Sequence, residues 1–170
     1  SSSLNGKFNQ NYVYDRANRL LQAQTAGKNF GYSYDNGGNL TKEGARQFFY
    51  QNYQLQNVVS GKDTLVKTEF DQAGSLIAKQ KNDSTFRYVY DAAFNLDSVY
   101  LNGKALYDFG YDSNNSRLLK KNLADGSSTL YVSPNYLINI SSKGVSNHTK
   151  YLIGPSGMIA AVETPGFRAN

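Results

Sequence analysis

The 170-residue chain carries 18 Lys and Arg against 13 Asp and Glu, a formal net charge of +5, with one His and no Cys. Without Cys there are no disulfide staples and no Cys-ligated zinc, and a lone His cannot build a His-based metal cluster. No apolar run approaches the length of a membrane-spanning helix, Ser1-Ser2-Ser3-Leu4-Asn5-Gly6 lacks the basic and apolar regions of a signal peptide, and no stretch sustains a helical apolar period over three turns.

The chain predicts strands and turns in a repeating order. Residues 1–11 read as a flexible flank, and residues 12–163 as an array of about eight copies of one unit. The first copy is Tyr12-Val13-Tyr14-Asp15 followed by Leu20, and the second is Tyr32-Ser33-Tyr34-Asp35-Asn36-Gly37-Gly38-Asn39-Leu40. A degenerate third, Phe48-Phe49-Tyr50-Gln51-Asn52-Tyr53-Gln54-Leu55, puts Gln51 in place of Asp and has a turn one residue shorter. Phe70-Asp71 with Gly74 and Leu76, Tyr88-Val89-Tyr90-Asp91 with Leu96, and Phe109-Gly110-Tyr111-Asp112 with Leu118 continue the series, the last with an extra residue at Asn114-Asn115-Ser116. Tyr131-Val132-Ser133-Pro134 and Tyr151-Leu152-Ile153-Gly154 are eroded final copies, and residues 164–170 form a C-terminal flank. The five Asp lie 20, 36, 20 and 21 residues apart, the long interval holding the degenerate copy.

Each part of the unit has a physical role. Aromatics at i and i+2 share one face of a strand, so stacked copies build an aromatic strip. Most of that strip is structural, since cross-strand ring pairs each contribute roughly 0.2–1 kcal/mol and fix register. The Asp accepts hydrogen bonds from backbone amides two residues on and opens a turn. The residue three after it is Asn18, Gly38, Gly74, Phe94 or Asn115. All but Phe94 tolerate positive φ well. Leu20, Leu40, Leu76, Leu96 and Leu118 start the return strand, which ends in a second turn such as Ala26-Gly27-Lys28, Ser60-Gly61-Lys62, Asn102-Gly103-Lys104 or Asp125-Gly126-Ser127. The 14 Tyr and 9 Phe, with abundant Gly, Asn and Ser, suit a twisted antiparallel sheet with two partly wetted faces.

The pattern Y-x-Y-D-x-x-G-N-L followed by a polar hairpin resembles the YD repeat of the Rhs and YD-repeat proteins, a group that includes insecticidal toxin-complex and teneurin-like proteins. Tyr32 to Leu40 matches without exception, with Asn39 at the Asn position, and the resemblance covers residues 12 to 163. It implies an all-β fold: hairpins of about 20 residues in a curved ribbon, one segment of a hollow β-shell. It further implies a bacterial protein, secreted or at the cell surface, whose shell encloses a cargo or toxin polypeptide or serves adhesion. Its partners would be the remaining YD-repeat segments of a longer parent and the enclosed cargo. Bacterial relatives carry a core region whose aspartates release the cargo; no counterpart is found, so no cleavage residues carry over. The chain reads as a fragment or processed piece of something longer.

The remaining chemistry is sparse. One Asp per repeat at a turn is not a pair of carboxylates poised for acid/base work, and Asp112-Ser113-Asn114-Asn115-Ser116 lacks the glycine and late glutamate of a calcium loop. His148, in Ser146-Asn147-His148-Thr149, is expected in a polar surface turn with no nucleophile elbow beside it. Gly154-Pro155-Ser156-Gly157 lacks the Lys-Ser/Thr of a phosphate loop and reads as a hairpin turn. The expectation is a non-enzyme with no catalytic residues, no metal and no cofactor. The basic residues are scattered, as at Lys79, Lys81, Lys120 and Lys121, which disfavours a nucleic-acid track; lysines on strands also blunt sheet edges. Tyr50, Gln51, Asn52 and Tyr53 resemble a carbohydrate-stacking surface and give the alternative of a glycan-binding or adhesion module. Unpaired first and last strands would favour edge-to-edge self-association of the isolated chain.

Overall fold

A computed structural model describes residues 10–25 and 27–168. The flexible flank expected over the first nine residues, and Ala26 of the first polar turn, lie outside the described residues. Sixteen strands follow one another through a single sheet in sequence order. Among the described residues no helix is long and apolar enough to cross a membrane.

Two compact units divide the chain. One runs to Glu69 and takes in Lys79–Asp83; the other comprises Phe70–Ala78 and the chain from Ser84. The strands are β1 (Gln10–Tyr14), β2 (Leu20–Thr25), β3 (Lys28–Tyr34), β4 (Leu40–Glu43), β5 (Arg46–Gln51) and β6 (Gln54–Ser60), then β7 (Asp63–Phe70) and β8 (Leu76–Lys81). Next come β9 (Ser84–Tyr90), β10 (Leu96–Leu101), β11 (Lys104–Tyr111), β12 (Arg117–Asn122), β13 (Ser128–Ser133), β14 (Tyr136–Ile140), β15 (Val145–Gly154) and β16 (Gly157–Arg168). β1 opens inside the flank expected up to residue 11, and β16 continues past residue 163. The extension follows from pairing: β16 lies along all of β15, with His148 opposite Thr164 and Asn147 opposite Pro165, and Pro165 sits beside a register shift where its missing N–H breaks no regular rung.

The sheet buries little. Among the described residues the buried apolar side chains are Ala23, Val58 and Val99, joined by Thr68, Ser98 and Thr149. Val99 is covered because Tyr88 and Tyr107 lie directly across from it on its two neighbours. Ala23 likewise sits between Tyr12 and Phe30. Ala23 and Val99 are thus each flanked by cross-strand aromatics, which is how the i, i+2 spacing acts once strands pair.

Return strands carry a bulge. Tyr14, Tyr34, Tyr50, Tyr90 and Tyr111 stand opposite Leu20, Leu40, Leu55, Leu96 and Arg117, and the register shifts by one residue just beyond each pair. Arg117, not Leu118, thus occupies the position expected of the repeat leucine. The Asp112 turn holds no extra residue: Leu118 falls on the bulge that Leu21, Thr41, Gln56 and Asp97 occupy in the other copies, and it is exposed there.

Candidate functional site

The Asp turns are built alike. In each, the Asp N–H donates to the carbonyl four residues on: Asp15 to Arg19 at 2.9 Å, Asp35 to Asn39 at 3.0 Å, Asp71 to Ser75 at 3.0 Å, Asp91 to Asn95 at 2.9 Å and Asp112 to Ser116 at 3.0 Å. The Asp carbonyl accepts from the N–H three residues on, and its Oδ1 accepts the amide four on at 2.8–2.9 Å. The residue three after the Asp has positive φ in every case: 58° at Asn18, 86° at Gly38, 88° at Gly74, 62° at Phe94 and 60° at Asn115. Phe94 departs from the repeat in residue type while its backbone keeps the turn. A turn of the same form that the sequence reading missed lies at Ser141: its N–H bonds the Val145 carbonyl, its hydroxyl takes the Val145 amide, and Gly144 supplies φ 73°. The signal was there in Ser-x-x-Gly, a serine doing the aspartate's work on the β14–β15 connection.

The shortened copy closes differently. Gln51 pairs with Gln54 across Asn52 and Tyr53, which take φ of 50° and 62° in a two-residue turn. The segment proposed for glycan stacking is thereby split. Tyr53 is 79% exposed at the tip, with its ring against Gly37, whereas Tyr50 is half-buried on the strand and burial pushes its hydroxyl pKa up.

Successive copies are joined by side chains. The Tyr34 hydroxyl donates to the Leu20 carbonyl at 3.0 Å, Tyr90 to Leu76 at 3.0 Å and Tyr111 to Leu96 at 2.9 Å. Leu20 and Leu96 lie beyond the stretch paired with the next strand, so these carbonyls have no ladder partner and the tyrosine supplies one. At Phe70 the repeat has no hydroxyl. There Thr68, two residues earlier, donates to the Leu55 carbonyl and lies within 3.2 Å of that of Gln56. The turns are also linked: Arg19 holds Asp15 at 2.7 Å and reaches the Asp35 carbonyl at 3.3 Å, and Asn95 bridges Asp91 at 3.1 Å and Asn115 at 3.0 Å.

Cations cover the aromatic strip. The Arg19 guanidinium lies 4.9 Å from the Tyr34 ring centroid, Arg117 lies 4.7 Å from Phe109 and 5.8 Å from Tyr111, and the Lys120 ammonium lies 4.3 Å from Tyr107. Hydrogen bonding to Tyr111 raises the Arg117 pKa above its ordinary value. The carboxyls of Asp15, Asp35 and Asp91 are held below the usual range, the first chiefly by the Arg19 amide and the other two chiefly by the side chains of Asn39 and Asn95.

His148 is in mid-strand within β15, not in a turn, because the chain reverses earlier, at Ser141–Gly144. Its Nδ1 is hydrogen-bonded to the Tyr136 hydroxyl. Pro155 and Ser156 form the expected hairpin turn between Gly154 and Gly157. Among the described residues no group of three or more His, Cys, Asp or Glu is placed to hold a metal ion. One open hollow of about 530 Å³ lies beside the Asp112 turn, lined in part by Arg117, Leu118, Tyr131, Val132 and Tyr151.

These features define an all-β protein of consecutive antiparallel hairpins knit together copy to copy. No family model matches the chain, and no curated protein matches it. Among solved structures it is similar to the crystal structures of TcdB2-TccC3-TEV, at a TM-score of 0.48, and of TcdB2-TccC3-Cdc42, at 0.49. In each case identity is 13% over 94% of this chain, which spans 12% of the length of the matched one.

Proposed function

We propose that this chain is a non-catalytic structural segment of a large, secreted or surface-located bacterial Rhs/YD-repeat protein, a stretch of wall that helps enclose a cargo or toxin polypeptide. The observation that carries the reading is the tie from the hydroxyls of Tyr34, Tyr90 and Tyr111 to the preceding copy's carbonyl, set among turns of the same chemistry. Cohesion of that kind is nearest-neighbour, as in solenoids, and it lets a sheet grow long without a central core. Its partners are the adjoining YD-repeat segments and the enclosed polypeptide; its task is to separate that polypeptide from solvent.

The test is the mass and terminal sequences of the native polypeptide containing these residues, taken from source cells and their medium. A mass several times that of this chain, with a separate polypeptide travelling inside it, supports enclosure. A mature product consisting of this chain alone, or turnover of a substrate by it, overturns the reading.

A further inference from the structure

We propose that Asn36, on the β3–β4 connection, is a site of spontaneous covalent modification, losing its side-chain amide to attack by the Gly37 main-chain nitrogen with water as co-reactant. The sequence holds three Asn-Gly pairs: Asn5-Gly6, Asn36-Gly37 and Asn102-Gly103. Asn5 lies outside the described residues, so the structure distinguishes the other two. Glycine in second place favours the reaction because, without a Cβ, its nitrogen is open to the neighbouring carboxamide.

Both pairs are exposed in turns, yet they are held differently. Asn102 is tied to β9: its N–H donates to the Thr85 carbonyl at 2.8 Å, and its Oδ1 accepts the Thr85 amide at 2.8 Å. Swinging that carboxamide onto the Gly103 nitrogen breaks the second bond. The Asn36 carboxamide makes no hydrogen bond to the described residues. Its turn is closed without it, by the Asp35 N–H on the Asn39 carbonyl at 3.0 Å and the Gly38 amide on the Asp35 carbonyl at 3.1 Å. Attack joins the Gly37 nitrogen to the Asn36 Cγ as a cyclic imide, and the carboxamide nitrogen departs as ammonia, taking the Gly37 amide proton. Water then opens the imide at either carbonyl, giving aspartate or isoaspartate with no change of oxidation state. Each product sets a new carboxylate beside Asp35. The isoaspartyl form also adds a methylene to the main chain inside the turn that Asp35 and Asn39 close.

The experiment incubates the 170-residue chain in heavy-oxygen water at mildly alkaline pH, folded and in urea, and follows Asn36 and Asn102 by mass-spectrometric peptide mapping. In the folded chain Asn36 should convert roughly tenfold or more faster than Asn102, the factor set by the Thr85 hydrogen bond, with heavy oxygen in the product. In urea the two rates should converge. Gly37→Ala should slow conversion at Asn36 and leave Asn102 unchanged; the added Cβ would press on the Tyr53 ring at 3.0 Å, the end of an exposed side chain that can give way. Equal rates in the folded chain, the same ratio of rates in urea, an Asn36 that converts only in urea, or conversion undiminished in Gly37→Ala would overturn the proposal.

Discussion

The Tyr90 hydroxyl donates a 3.0 Å hydrogen bond to the Leu76 carbonyl, at the start of the preceding copy's return strand. Tyr34 and Tyr111 make the same bond to Leu20 and Leu96. Removing one hydroxyl leaves a part-buried carbonyl short of its partner, so Tyr34→Phe, Tyr90→Phe and Tyr111→Phe should each cost about 1 kcal/mol. Urea denaturation measures this. Three variants indistinguishable from the parent would show that water serves these carbonyls equally well.

Thr68→Val should be costlier than any of these three. Thr68 is buried, and its hydroxyl serves the Leu55 and Gln56 carbonyls together, so both lose a neighbour in an isosteric replacement. A loss of about 1–3 kcal/mol is expected from the same denaturation experiment.

Phe94→Gly should stabilise the chain. Phe94 is 68% exposed with φ 62°, so the backbone carries the cost of a left-handed conformation while the ring returns little burial. A gain of about 1 kcal/mol follows. Gly38→Ala tests the converse: nothing lies within 4 Å of the added Cβ at φ 86°, so any fall in melting temperature reports backbone strain alone.

Acid should destabilise the array through the turn carboxylates. Asp15, Asp35 and Asp91 have folded-state pKa values below the ordinary aspartate value of about 3.9, so the unfolded chain binds protons first as pH falls. Their contribution is present above that value and is lost as pH drops through the folded-state pKa values. Asp91→Asn preserves an oxygen for the turn amides but cannot titrate, so melting temperature followed from pH 5 downward should show a shallower acid decline than in the parent.

Much of this was legible in the residues themselves. Asp15 to Leu20 and its echoes announce a turn with a left-handed fourth residue, because few side chains besides a short carboxylate can gather two amides at once. What the sequence hid was relational. That Arg117 rather than Leu118 faces Tyr111 depends on a bulge, and Leu118 misleads because leucine is the residue the pattern leads one to expect. Thr68 standing in for the hydroxyl missing at Phe70 requires knowing which carbonyl is orphaned. His148 fell in a strand because Ser141 and Gly144 had already turned the chain, and serine gives a weaker turn signal than aspartate. The hollow beside Asp112 lies next to the two-residue β13–β14 connection, a neighbour one repeat further along the chain that the residues of the Asp112 turn do not announce.

Identical junctions make length a free variable. Since the Asp71 and Asp91 turns share one hydrogen-bond scheme, cutting out the residues from Asp71 to Tyr90 would join Phe70 to Asp91 across a junction of the same kind. The strand count would fall by two, keeping every later strand pointing as before. A gene encoding such an array can lose or duplicate sixty-base-pair blocks by unequal recombination and still specify a sheet that closes its own seams. Copy number is then open to selection on the length of sheet required.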